Sequence, residues 1–183
     1  KLIEQYPKAV VVWNILGAAS KGLGNLVKAS KAFKKVTELN PNYADGFSNL
    51  GVVLTKQGKL DEALDVLKKA LAIKPDHADA HYNMGNALKD KGELDAAIDS
   101  YKQAIKIKPD HANAYCNMGN ALKDKVDLDA AIDSYNQAIK IKPSTDLVAS
   151  AKSTARHSSF EPAALSKSML EVNTMSSALK ASP

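Results

Sequence analysis

Five prolines, Pro7, Pro41, Pro75, Pro109 and Pro143, stand 34 residues apart along a chain of 183. A fixed period of that length restricts the fold to stacked copies of one supersecondary unit, because a single unit so small cannot bury its own apolar face. Aligned on the prolines, Gly17, Gly51, Gly85 and Gly119 coincide, as do Ala29, Ala63, Ala97 and Ala131. Phe33, Leu67, Tyr101 and Tyr135 superpose as well. Residues 76–109 and 110–143 differ at only six of 34 positions, which marks a recent duplication.

Each unit carries two helical stripes. In the third, Ala78, His81, Met84, Gly85 and Leu88 recur at spacings of three and four, and so do Leu94, Ala97, Ile98, Tyr101, Ala104 and Ile105. The unit is therefore a helical hairpin, with Lys91-Gly92-Glu93 as its turn. Asp95 and Asp99 sit near the start of the second helix and Lys106 and Lys108 near its end, as the macrodipole favours. Pro109 then ends it, lacking a backbone donor. Gly85 and Ala97 are the small residues expected where the two helices cross.

Trp13-Asn14-Ile15-Leu16-Gly17, followed by Ala29, Phe33 and Pro41, resembles the tetratricopeptide repeat: Trp-x2-Leu-Gly early, an alanine and an aromatic in the second helix, and a terminal proline. The resemblance covers residues 1–143 and implies an all-α fold, a right-handed α-solenoid of stacked antiparallel hairpins. Four units follow in repeat register, 10–43, 44–77, 78–111 and 112–145. Residues 1–9 contain the end of a truncated preceding repeat. A solenoid cut there exposes apolar surface, so the natural chain is expected to continue upstream, or that end to be covered by self-association. Two positions depart from the pattern: Val126 replaces the turn glycine of the fourth unit, and His81 takes an aromatic position in the third. A positive φ at Val126 would carry a steric cost.

After Pro143 the period stops. Residues 144–183 hold 10 Ser, 3 Thr and 7 Ala without a glycine. Residues 146–157 have Leu147, Val148, Ala151 and Ala155 on one side of a helix. Leu165, Met169, Val172 and Leu179 fall at helical spacing beyond Glu161-Pro162. This Ser/Ala-rich segment is expected to form capping helices over the last unit; the alternatives are a linker or an amphipathic helix that binds the groove.

In the family this chain resembles, the first helix of each hairpin lines the concave side. Asn49, Asn83 and Asn117 recur there, one per unit, with Asn86 and Asn120 three residues on. An amide donates and accepts at once, which suits an extended peptide backbone read without regard to side chains. The row resembles the asparagine ladder in the repeats of O-linked N-acetylglucosamine transferase. Asparagine is a poor helix former, so its recurrence calls for a reason, although duplication is itself one. Val11, Asn14, Ile15 and Ala18 in the first unit, Asp45, Ser48 and Val52 in the second, Asp79 and Tyr82 in the third, and Asn113 and Cys116 in the fourth complete the face. Lys89 and Lys123, each followed by an aspartate, lie toward the helix ends. The predicted groove is apolar at one end and amide-rich at the other. It lacks the inward lysines of the family's carboxylate clamp, which argues against chaperone C-termini as ligands.

Signals for chemistry are weak. Gly22-Leu23-Gly24 lacks the third glycine of a dinucleotide loop and follows a helix. One cysteine and 4 His cannot assemble a four-ligand zinc site or a disulfide framework. His77 and His81, four apart, are read as solvated residues and not as metal ligands, with His77 in the loop before its helix. Cys116 is read as a groove thiol or a buried small hydrophobe, without a sequence neighbour to activate it. Neither a cofactor nor catalysis is expected. The net charge of +5 rests on 25 basic residues of which only Arg156 is arginine, unlike the clustered arginines of nucleic-acid binders. Membrane spans and a secretory signal are absent from the sequence pattern, and the chain is expected to be cytoplasmic. The leading expectation is a non-enzymatic scaffold that binds an extended segment of a protein partner along the concave groove. The alternatives are a targeting segment of a larger glycosyl-, sulfo- or methyltransferase, and a homo-oligomer assembled through exposed repeat ends.

Overall fold

The structure, a computed structural model, describes residue 6 and residues 8–155. Every regular element among them is helical. The chain divides into two compact units, one ending at Ile107 and the other beginning at Lys108.

The first unit holds three hairpins: α1 (Val10–Gly22) with α2 (Leu26–Leu39), α3 (Ala44–Lys56) with α4 (Leu60–Ile73), and α5 (Ala78–Lys91) with α6 (Leu94–Ile107). The turns inside them depend on glycine. Gly24, Gly58 and Gly92 take φ of 74°, 74° and 86°, a region open to glycine without a Cβ penalty. At Gly92 the N–H caps the carbonyls of Leu88 and Lys89, satisfying groups the helix end leaves over. Asn25 caps α2 by accepting the Lys28 N–H at 3.0 Å.

Within each hairpin the repeated glycine is filled from the opposite helix. A Cβ on Gly17 would lie 2.7 Å from the Phe33 ring, one on Gly51 2.6 Å from Leu67, and one on Gly85 2.5 Å from Tyr101. The nearest neighbour of Gly85 is thus the Tyr101 ring, and Ala97, one turn before it, is fully buried as well. Phe33, Leu67 and Tyr101 are fully buried, so this contact fixes the helix separation in all three hairpins.

Successive hairpins in this unit are joined by polar ties. Gln57 donates from Nε2 to the Leu26 carbonyl at 2.9 Å. The Lys91 ammonium meets Asp61 and Glu93, each at 2.9 Å. These two carboxylates, Glu93 first, raise the Lys91 pKa. The first helices α3 and α5 touch directly, through Asn83 Nδ2 donating to Ser48 Oγ at 3.0 Å. The second helices α2 and α4 stand apart across a cleft of about 410 Å³.

The second unit contains the hairpin α7 (Ala112–Asp124) and α8 (Leu128–Ile141), followed by α9 (Thr145–Ala155). Gly119 faces the Tyr135 ring at 2.7 Å in the same way. Its turn passes through Val126 at φ 63°, so the position does require the left-handed conformation that a β-branched residue adopts at a cost. Val148 and Ala151 of α9 bury themselves on Ile132, Tyr135 and Ile139, with Leu147 and Ala155 at the margin. A helix, α9, thus packs on the last hairpin over Thr145–Ala155, while the rest of the Ser/Ala-rich segment, including the stripe from Leu165 to Leu179, lies outside the described residues. The expected remnant helix at the start of the chain falls largely outside them too.

Candidate functional site

On α3 a residue advances about 100° around the axis. Asp45, Ser48, Asn49 and Val52 consequently share one side, and Phe47, Leu50 and Leu54 share the opposite one. The polar side meets α5 of the same unit at Ser48. There Asn49 is half-buried, and Asn83 on α5 holds its amide against Ser48. One amide of the row is thus oriented by a neighbouring helix.

The other sites foreseen from the sequence are distributed as follows. Asn86 is half-buried and its Oδ1 accepts the Tyr101 hydroxyl at 2.8 Å, so its oxygen is committed to the hairpin. Tyr82 stacks at a tilt on the same Tyr101, with centroids 6.1 Å apart. Lys89 is partly covered and pairs with Asp90 at 3.3 Å. Asn14 is half-buried, and its Oδ1 is covered with no hydrogen-bond partner. Val11 and Ile15, one turn apart on α1, are 68% and 62% exposed and give the unit an apolar patch.

In the second unit Asn117 and Cys116 are half-buried on α7, and Lys123 is exposed in its last turn. Asn120 repeats the arrangement of Asn86: its Oδ1 accepts the Tyr135 hydroxyl at 2.7 Å. Burial first, then the Cys116 and Asp124 charges, push the Tyr135 phenol up to about 12. Burial also pushes the Cys116 thiol up, which keeps it protonated and a poor nucleophile.

The histidines differ from expectation. His77 is 8% exposed, and its Nε2–H donates to the Asp45 carboxylate at 2.9 Å, so it is a buried tie between α3 and the start of α5 and not a solvated side chain. His81 donates Nε2–H to the Pro75 carbonyl at 3.0 Å. Each ring commits its Nε2 to a separate partner, and no cluster of three or more potential metal ligands occurs among the described residues. The His77–Asp45 pair was not foreseen because its members stand at opposite ends of one 34-residue unit; an aspartate and a histidine 32 residues apart were its only trace. Nor does any described helix have the length and apolarity to cross a membrane.

The family description "TPR repeat" matches residues 22–58, 53–92 and 85–126, and "Tetratricopeptide repeat" matches residues 112–145. No curated protein matches this sequence. Among solved structures, TTC0263, a thermophilic TPR protein of Thermus thermophilus, is 26% identical with a TM-score of 0.73, over 84% of each chain. MamA is 28% identical with a TM-score of 0.69, covering 77% of this chain and 82% of its own. YrrB, described as a TPR protein with an unusual peptide-binding site, is 26% identical with a TM-score of 0.68, over 82% of this chain and 78% of its own.

Proposed function

The chain belongs to the tetratricopeptide repeat family, and from that premise we propose that it is a protein-interaction scaffold whose inward layer of first helices holds an extended segment of a partner. The observation that carries this reading is the polar row of half-buried Asn49 and Asn83 beside buried Ser48, in which the Asn83 amide is already fixed by Ser48. A donor held in place loses less side-chain entropy when a ligand carbonyl reaches it. Asn49 adds a donor and an acceptor from the neighbouring turn, and Val11 and Ile15 offer apolar contact. In this reading the chain works by binding, without a reaction of its own. The peptide-binding site of YrrB, a protein similar in fold, is consistent with it.

The test is selection from a library of extended peptides, followed by affinity measurement on three variants. Asn49→Ala/Asn83→Ala is expected to weaken the selected peptides about 10- to 100-fold, the effect of losing two to three modest hydrogen bonds. Ser48→Ala removes the same internal bond but keeps both amides, and it is expected to cost at most a few-fold. Equal affinity for wild type and the double variant, with both still folded by circular dichroism, would reject the groove.

A further inference from the structure

The net charge of the chain is concentrated in its first hairpin. Residues 8–40 hold six lysines and one acidic residue, Glu38, whereas residues 41–142 hold 14 lysines and 15 acidic residues. On α2, Lys28, Lys31 and Lys34 are exposed and make no ion pair among the described residues, while Glu38 is taken by Lys35 at 3.1 Å. Lys28 also stands where a cation is unfavourable. The first turn of α2 contains no acidic residue, but α4 has Asp61 and Glu62 there, α6 has Asp95 and α8 has Asp129. A positive side chain at that end opposes the helix dipole, so this hairpin departs from a rule that the others keep and loses stability by it.

Apolar surface that water reaches accompanies this charge. Leu23, in the turn between α1 and α2, is 87% exposed, and Val27 at the start of α2 is 62% exposed. Both border an open recess of about 850 Å³, which Gln57 and Lys59 of the next hairpin close on its far side. Lys31 completes the rim, one turn from Val27 on the same side of α2. Among the described residues no carboxylate lines this recess. The first carboxylates of α4 are otherwise engaged: Asp61 is held by Lys91 at 2.9 Å and Glu62 by Lys59 at 3.3 Å, while Asp65 lines the separate cleft between α2 and α4.

We infer that this recess is a second docking site, whose occupant is an acidic segment of a protein partner that carries one large apolar side chain. The apolar side chain seats against Leu23 and Val27, and the carboxylates around it meet Lys28 and Lys31. Burial of such an anchor supplies most of the affinity, and the one-signed rim supplies encounter rate and selectivity. A second copy of the chain using the same surface would set lysine against lysine. Nor do residues 156–183 bring the complementary charge, since they hold three basic residues and two acidic ones. A flat lipid surface would touch Leu23 and leave the recess behind it unfilled.

The experiment selects displayed random 12-residue peptides against the full chain and measures the enriched sequences as synthetic peptides. A class rich in Asp and Glu around one large apolar residue is expected. Its affinity should fall at least tenfold on Leu23→Ser/Val27→Ser and on Lys28→Glu/Lys31→Glu, and change less than twofold on Asn49→Ala/Asn83→Ala. Replacing the peptide's apolar residue by serine should also weaken it at least tenfold, which a purely ionic attraction would not show. Lys28→Glu alone is expected to raise the thermal midpoint while weakening the peptide, which separates lost binding from lost folding. Absence of such a class, equal affinity for either surface variant with its helical spectrum intact, or indifference to the serine replacement would each overturn the proposal. So would phosphatidylserine vesicles or a DNA duplex that bind through Leu23 and Lys31 where acidic peptides do not. Because the Asn49→Ala/Asn83→Ala variant is read separately, failure of this site is distinguishable from failure of the groove.

Discussion

Val126 is the one described residue other than glycine with a positive φ, 63°, and it sits where three other hairpins place glycine. The left-handed conformation costs a β-branched residue roughly 1–2 kcal/mol, while glycine costs the folded state about 0.5–1 kcal/mol in backbone entropy. Val126→Gly is therefore expected to stabilise the second unit by about 1 kcal/mol, read as a higher urea midpoint at unchanged slope. An unchanged or lower midpoint would mean that the turn does not hold this conformation in solution. The sequence carried enough to locate this site, since alignment on the prolines sets Val126 under Gly92. It did not carry His77. A histidine before a helix reads as loop, and only the folded backbone brings it within 2.9 Å of Asp45. The same limit applies to Asn86 and Asn120. Their spacing from Asn83 and Asn117 puts them on a shared helix face, yet each spends its oxygen on a tyrosine hydroxyl 15 residues on.

At the scale of the hairpin, a glycine and a large side chain set how closely two helices approach. Gly85→Ala would bring a Cβ to 2.5 Å from the Tyr101 ring, and Tyr101 is fully buried with its hydroxyl already bonded to Asn86. The ring cannot retreat without giving up that bond. The substitution is expected to destabilise the first unit by about 1–3 kcal/mol, the usual range for overpacking, and combining it with Tyr101→Leu should recover part of the loss. Denaturant unfolding of the two single variants and the pair measures the coupling; strict additivity would show that the contact is not what holds the helices apart. Period and composition made the hairpins themselves readable, because amphipathic spacing and turn glycines are local signals. The cleft between α2 and α4 was not readable. It depends on how far two helices in different repeats diverge, and no single stripe encodes that distance.

For the molecule as a whole, the first unit leaves several large apolar side chains exposed, and the second covers part of its apolar face with a short helix. In the first, Val11, Ile15, Leu23 and Val27 are all at least 62% exposed. In the second, α9 covers Ile132 and Ile139, which are 0% and 4% exposed. Deleting residues 143–183 should uncover both, lower the thermal midpoint and promote concentration-dependent association in sedimentation velocity, since terminal repeats need a polar outer face. A truncated chain that stays monomeric with an unchanged midpoint would show that α9 is not a cap. A different consequence follows from α3, one face of which carries Ser48 and Asn49 while the other lines the cleft beside α2 and α4 and, just past its end at Gln57, the recess. One helix is only about 10–12 Å across, so a short flexible linker can reach from one face to the other. A partner that carries both an extended segment for the row and an acidic one for the recess would make its second contact intramolecularly, at an effective concentration in the millimolar range. Two weak attachments on opposite sides of a single helix would then hold as one strong one, and cutting the linker between them would release both.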